Sequence, residues 1–114
     1  MTTVEFRARK GGGYTGFEVS GHAGYAESGQ DIVCAEVSAL TQATLNGLKN
    51  VLKAPVMFDI DPERAYLCVF LTPEATESQR RDAQILLETL FQALQAVERD
   101  FPRFVRVITR ERRQ

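Results

Sequence analysis

Residues 14–40 read "YTGFEVSGHAGYAESGQDIVCAEVSAL", and within them the spacing of apolar side chains changes period. Over 14–20 the period is two, with Phe17 and Val19 on one face and Glu18 and Ser20 on the other, the pattern of a strand with one wet side. From Asp31 onward Val33, Val37, Leu40, Leu48 and Val51 recur at three, four or multiples of these, which is helical spacing. Asp31 stands where its carboxylate can accept a first-turn N–H, so it reads as the N-cap and Cys34 as the third helical residue. This helix is expected to end near residue 52. Between the two periods, residues 21–30 set Gly21, Gly24 and Gly29 among small and polar neighbours and fit no regular element.

The flanks extend the frame. Residues 2–9 alternate Val4, Phe6 and Ala8 against Glu5, Arg7 and Arg9, and the "KGGGY" that follows supplies a glycine turn, so 2–20 reads as a hairpin. After the helix, "PVMFDID" alternates Val56, Phe58 and Ile60 against Met57, Asp59 and Asp61. "DPER" is a tight turn. "AYLCVFLT" is apolar on both faces, as a central or doubly covered strand is. Residues 75–100 carry one apolar stripe of Ala83, Leu87, Leu90, Phe91, Leu94 and Val97, a long helix. "RFVRVITR" closes the chain as a strand. The order ββαββαβ predicts an α+β fold, a mainly antiparallel five-stranded sheet with two helices, and residues 1–114 read as a single domain.

Composition narrows the function. The 114 residues carry 14 basic and 15 acidic side chains, a formal charge of −1, which argues against bulk attraction to nucleic acid. The arginines of "RVITRERR" are a local exception. No apolar run is long enough to cross a bilayer and the first residues lack a signal-peptide core, so the chain is expected to be cytoplasmic, with reduced thiols. Cys68, inside an apolar run, reads as buried and inert. Two cysteines and one histidine without ligand spacing give no metal site.

His22 is the only histidine and Cys34 one of the two cysteines. Cysteine attacks as the thiolate, a minor form of an ordinary thiol at neutral pH. A helix N-terminus and a neighbouring imidazolium each stabilise that anion, and the imidazolium can later protonate a leaving group. Cys34 in a first helical turn, with His22 at a strand end across a short loop, offers both in outline. Each residue also has a bland reading, a small helical residue and a surface histidine. Asp31 has two readings as well, the helix cap and the group that orients His22.

The run "GHAGYAESGQDIVCAEVSAL" resembles the signature of the ribosomal-processing cysteine proteases, the Prp family. That family shows a G-H-A start, a glycine-rich loop, then G-x-D-I-V-C-A and a V-S-A-L helix, matched here by Gly21, His22, Ala23, Gly29, Asp31, Ile32, Val33, Cys34, Ala35, Val37, Ser38, Ala39 and Leu40. Length and element order are also similar. Glu36 stands where a small residue is expected. The resemblance implies that Cys34 is the nucleophile and His22 the general base and acid. Gly21, Asp31 and Ser38 stand beside them as supporting or substrate-binding positions, and Ser38, one turn beyond Cys34 on the same face, reads equally as a helix-packing hydroxyl. It implies, too, a substrate in the N-terminal extension of large-subunit ribosomal protein twenty-seven, a homodimer, and no need of metal, cofactor, membrane or nucleic acid. With those roles, residues 22–30 would form a lid over the peptide, and backbone N–H groups around Ile32 to Cys34 would receive the oxyanion. Two other readings stand beside it: a non-catalytic ribosome-assembly module binding a ribosomal protein or RNA, and a redox protein using Cys34 and Cys68.

Overall fold

The computed structural model describes residues 1–21 and 30–111, with residues 30 and 31 described by their backbone alone. Strands β1 (Thr2–Ala8) and β2 (Tyr14–Ser20) form the hairpin, closed by a turn in which Gly11, Gly12 and Gly13 all hold positive φ. Helix α1 (Gln30–Asn46) runs on through a π-turn at Gly47–Val51, and β3 (Val56–Asp61) follows. A short 3₁₀ turn, Pro62–Arg64, leads into β4 (Tyr66–Leu71). Helix α2 (Glu77–Asp100) and strand β5 (Val105–Glu111) complete the order ββαββαβ.

One five-stranded sheet runs β3-β4-β2-β1-β5. Three of its pairings are antiparallel, and β5 lies parallel to β1, with Thr2 opposite Val105. Alternation sends Val4, Phe6, Phe17, Val19, Leu67, Val69, Leu71 and Val105 to one face, where Val33, Val37, Leu45 and Leu48 of the first helical segment and Ala83, Leu87, Leu90 and Leu94 of α2 bury them. Phe6 is the hub, with its ring 5.8 Å from Phe17 and 5.1 Å edge-on to Phe91. Helix α2 is held at its start by a capping box: Thr76 Oγ1 accepts from Gln79 N, and Gln79 Oε1 from Thr76 N. Further along, its side chains finish the sheet. Gln84 accepts from the backbone N–H of Tyr14 and donates to its carbonyl, while Glu98 Oε2 accepts from Val107 N at 2.9 Å on the outer edge of β5.

Three expectations change. The first helix begins at Gln30, so Asp31 is a helical residue instead of the N-cap, and Cys34 is the fifth helical residue and not the third. Val51, expected on the buried stripe, is 82% exposed. The π-turn that ends on it is wider than an α-turn and rotates Val51 off the stripe that Val33, Val37 and Leu48 keep. Phe58 and Ile60, expected to face the core, are 41% and 43% exposed. They point to the helix face, but β3 is the edge strand and the helices leave it largely uncovered.

Phe17 is fully buried at the centre of this packing. Phe17→Ala is expected to cost about 3–5 kcal/mol in denaturant unfolding, the range for deleting a buried aromatic. A loss below about 1 kcal/mol would show that the hairpin is not the core of the fold.

Candidate active site

Helix α1 sets Cys34 one turn from its start, half-buried, with its side chain on the helix side of the sheet. There it opens into a cavity of about 270 Å³. Val37, Ser38, Thr41 and Gln42 line it from α1, Thr2, Val19 and Gly21 from the ends of β1 and β2, and Ile60, Pro62, Tyr66 and Leu67 from the β3–β4 turn. Most of the wall is apolar, with hydroxyl and amide groups grouped along the helix.

That grouping follows from helical spacing: Ser38, Thr41 and Gln42 stand four, seven and eight residues after Cys34, on one face. Gln42 Nε2 donates to Ser38 Oγ at 2.8 Å. Thr41 Oγ1, buried, donates to the carbonyls of Val37 and Ser38 at 2.8 and 3.2 Å. Thr41 and Gln42 were not singled out from sequence, although the stripe they extend was readable there. Ile60 and Tyr66 carry no such signal, because only strand pairing brings them to the cavity.

Of the residues expected in the site, Cys34, Ser38 and Gly21 come together around this cavity. His22, and the lid expected over 22–30 apart from its last residue, lie outside the described residues, as does the side chain of Asp31. Strand β2 ends at Ser20, and Gly21 turns the chain with φ +87°, so strand alternation stops before His22 and says nothing of where it points. A side chain at Gly21 would also be strained by that φ and would meet the Met1 carbonyl. The N–H groups of Gln30 to Ile32 stand at the start of α1 ahead of Cys34, the end at which a helix directs its first donors outward.

Tyr66 borders the cavity at the start of β4, while its ring lies on the opposite sheet face with Glu18 and Cys68. Its hydroxyl donates to Glu18 Oε2 at 2.6 Å, and the Arg64 guanidinium lies 5.2 Å from its ring centroid. The hydrogen bond to Glu18, and the Cys68 thiol beside it, hold the phenol well above its ordinary range. Cys68 itself is 5% exposed and points to the sheet face opposite the helices. The sheet therefore separates it from Cys34, which works against a redox pair of the two. On that same open face Arg110 of β5 bonds Glu5 at 3.1 Å, so part of the arginine-rich strand is already paired. Among the described residues no cluster of three His, Cys, Asp or Glu is placed for a metal, and no helix is long and apolar enough to cross a membrane.

Two measurements check this geometry. Brief alkylation of the native protein is expected to modify Cys34 and spare Cys68, as read by peptide mass; labelling at Cys68 first would contradict the burial. Folding raises the Tyr66 pKa, so its contribution to stability is complete below the unfolded value of about 10 and declines as pH climbs above it. Subtracting the alkaline absorbance titration of Tyr66→Phe from that of the native protein should reveal no ionisation step near pH 10. A step there would mean that the Glu18 bond does not hold the proton.

Comparison with known proteins places this geometry in a family. The family model described as cysteine protease Prp matches residues 1–106. The ribosomal processing cysteine protease Prp of Bacillus subtilis is 34% identical over 110 residues, covering 96% of this chain and 97% of that protein. A Streptococcus mutans crystal structure superposes with TM-score 0.83 at 28% identity over 98% of this chain and 96% of its own. An essential ribosomal processing protease Prp from Staphylococcus aureus, solved with a substrate peptide, has TM-score 0.84 at 24% identity over 96% of this chain and all of that one, a likeness of fold. The family match spans both the strand ends and the helix that build the Cys34 cavity, and this chain belongs to the family of the cysteine protease Prp.

Proposed function

We propose that residues 1–114 form one protease domain that removes the N-terminal extension of large-subunit ribosomal protein twenty-seven, with Cys34 as nucleophile and His22 as general base and acid. The observation that carries this reading is the placement of Cys34, one turn into α1 and open to a cavity with a largely apolar wall. The B. subtilis relative, named as a ribosomal processing protease, supports the substrate class. The protein acts in the cytoplasm as a homodimer.

In this reading His22 takes the thiol proton, and the thiolate of Cys34 attacks the scissile carbonyl carbon. A C–S bond forms while the carbonyl electrons move to oxygen, which the N–H groups at the start of α1 receive. The C–N bond then breaks as the imidazolium protonates the leaving amine, the new N-terminus of the ribosomal protein. Water, deprotonated by the same imidazole, attacks the thioester and releases the extension as a carboxylate with Cys34 as thiolate. Ser38, held by Gln42, bounds the path of the peptide on the helix side.

The test is cleavage of a peptide spanning the extension, followed by mass spectrometry. Cys34→Ala is expected to abolish turnover with the fold intact, and His22→Ala to lower it by at least about 10²- to 10⁴-fold. Cys68→Ser should keep its activity and lose some stability. Turnover by Cys34→Ala would end the mechanism, and a native rate in His22→Ala would end the role of the imidazole.

A further inference from the structure

The cavity beside Cys34 is small for what a protease must hold. At about 270 Å³ it falls below the roughly 300–1,000 Å³ of sites that enclose a drug-sized ligand, so it takes a side chain or two and leaves most of a peptide on the surface. The neighbouring surface with free peptide-binding capacity is the outer edge of β3. Pro55 O accepts from Thr72 N at 3.0 Å, which makes this the hydrogen-bonded pair where β3 and β4 begin to run together. In an antiparallel ladder such pairs alternate, so Met57, Asp59 and Asp61 bond to β4, and the N–H and C=O groups of Val56, Phe58 and Ile60 turn outward. No strand among the described residues meets them. The opposite edge differs: there Glu98 already occupies the outward N–H of Val107.

Ile60 joins the two features. Its side chain lines the Cys34 cavity, and its backbone belongs to the outward set. A chain paired along β3 is thus led to the thiol without a break, and Phe58 and Ile60, both substantially exposed, offer apolar contact to alternate side chains along it. From this continuity we propose that the substrate peptide binds as a sixth strand on the outer edge of β3, its extended backbone pairing with Phe58 and Ile60 while the adjoining residues enter the cavity. Strand addition of this kind draws affinity from main-chain hydrogen bonds and specificity from alternate side chains. The proposal rests on the peptidase reading above and adds to it where the peptide lies.

The experiment reads the pairing from the substrate side, with the native enzyme and a set of extension peptides N-methylated at one backbone nitrogen each. On the side of the scissile bond that lies along β3, kcat/KM should fall about tenfold at every second position and little between, since one hydrogen bond of some 1.4 kcal/mol is a factor of ten. Phe58→Pro, which removes an outward N–H and leaves the β4 ladder intact, should cost a similar factor for the long peptide and nothing for one truncated to the residues at the cavity. Uniform sensitivity to methylation, or equal loss on both peptides, overturns the docking while leaving the peptidase reading intact. Sedimentation showing that Phe58→Pro dissociates a dimer would assign the edge to a second copy and overturn it too. Failure of the native enzyme to cleave any unmethylated peptide would overturn the substrate assignment, and the docking with it.

Discussion

Phe6 and Phe17 face one another across the middle of the hairpin, and both rings must be covered from the same side. Helix α2 covers them, with Phe91 edge-on to Phe6 and Leu87 and Leu94 wholly buried nearby. That demand puts both helices on one face, because α1 packs against α2 and shares the same cluster through Val33 and Val37. The start of α1 is then carried to the end of the sheet where β2 finishes and β4 begins, and Cys34 shares a cavity with Val19 and Leu67 there. The place of the thiol is a by-product of covering two phenylalanines.

Elements whose periodicity answers to that cluster are legible in the sequence itself. The hairpin, the buried stripe of α2 and the double-sided apolar strand β4 follow from spacing, since burial imposes the period that a reader sees. Where burial is partial, spacing misleads. Phe58 and Ile60 alternate as core residues do, but an edge strand beyond the reach of the helices leaves them exposed. Val51 fails for another reason: a single π-turn changes the phase, and no residue type announces it. The cap at Asp31 misses by two positions, the ordinary uncertainty of a helix end.

The site divides along the same line. Cys34, Ser38, Thr41 and Gln42 share a helix face and could be grouped from the chain alone. Ile60, Tyr66 and Thr2 reach the cavity through strand register, which depends on partners far away in sequence. The two thiols illustrate the point in reverse. They are alike in type and burial tendency, yet the sheet gives one a cavity and the other a packed position beside Glu18 and Tyr66. Chemistry here is assigned by location more than by residue identity.

The parallel pairing of β1 with β5 bears on how the molecule comes into being. Strand β1 is an inner strand, and its second neighbour is β5, about a hundred residues later in sequence, with Thr2 beside Val105. During synthesis the hairpin and both helices emerge while one side of β1 still lacks its partner, and a pairing of such long range closes late and slowly. Vectorial folding therefore stops one strand short. Until β5 has left the ribosome, a member of this protease family carries a sheet open along one side of β1.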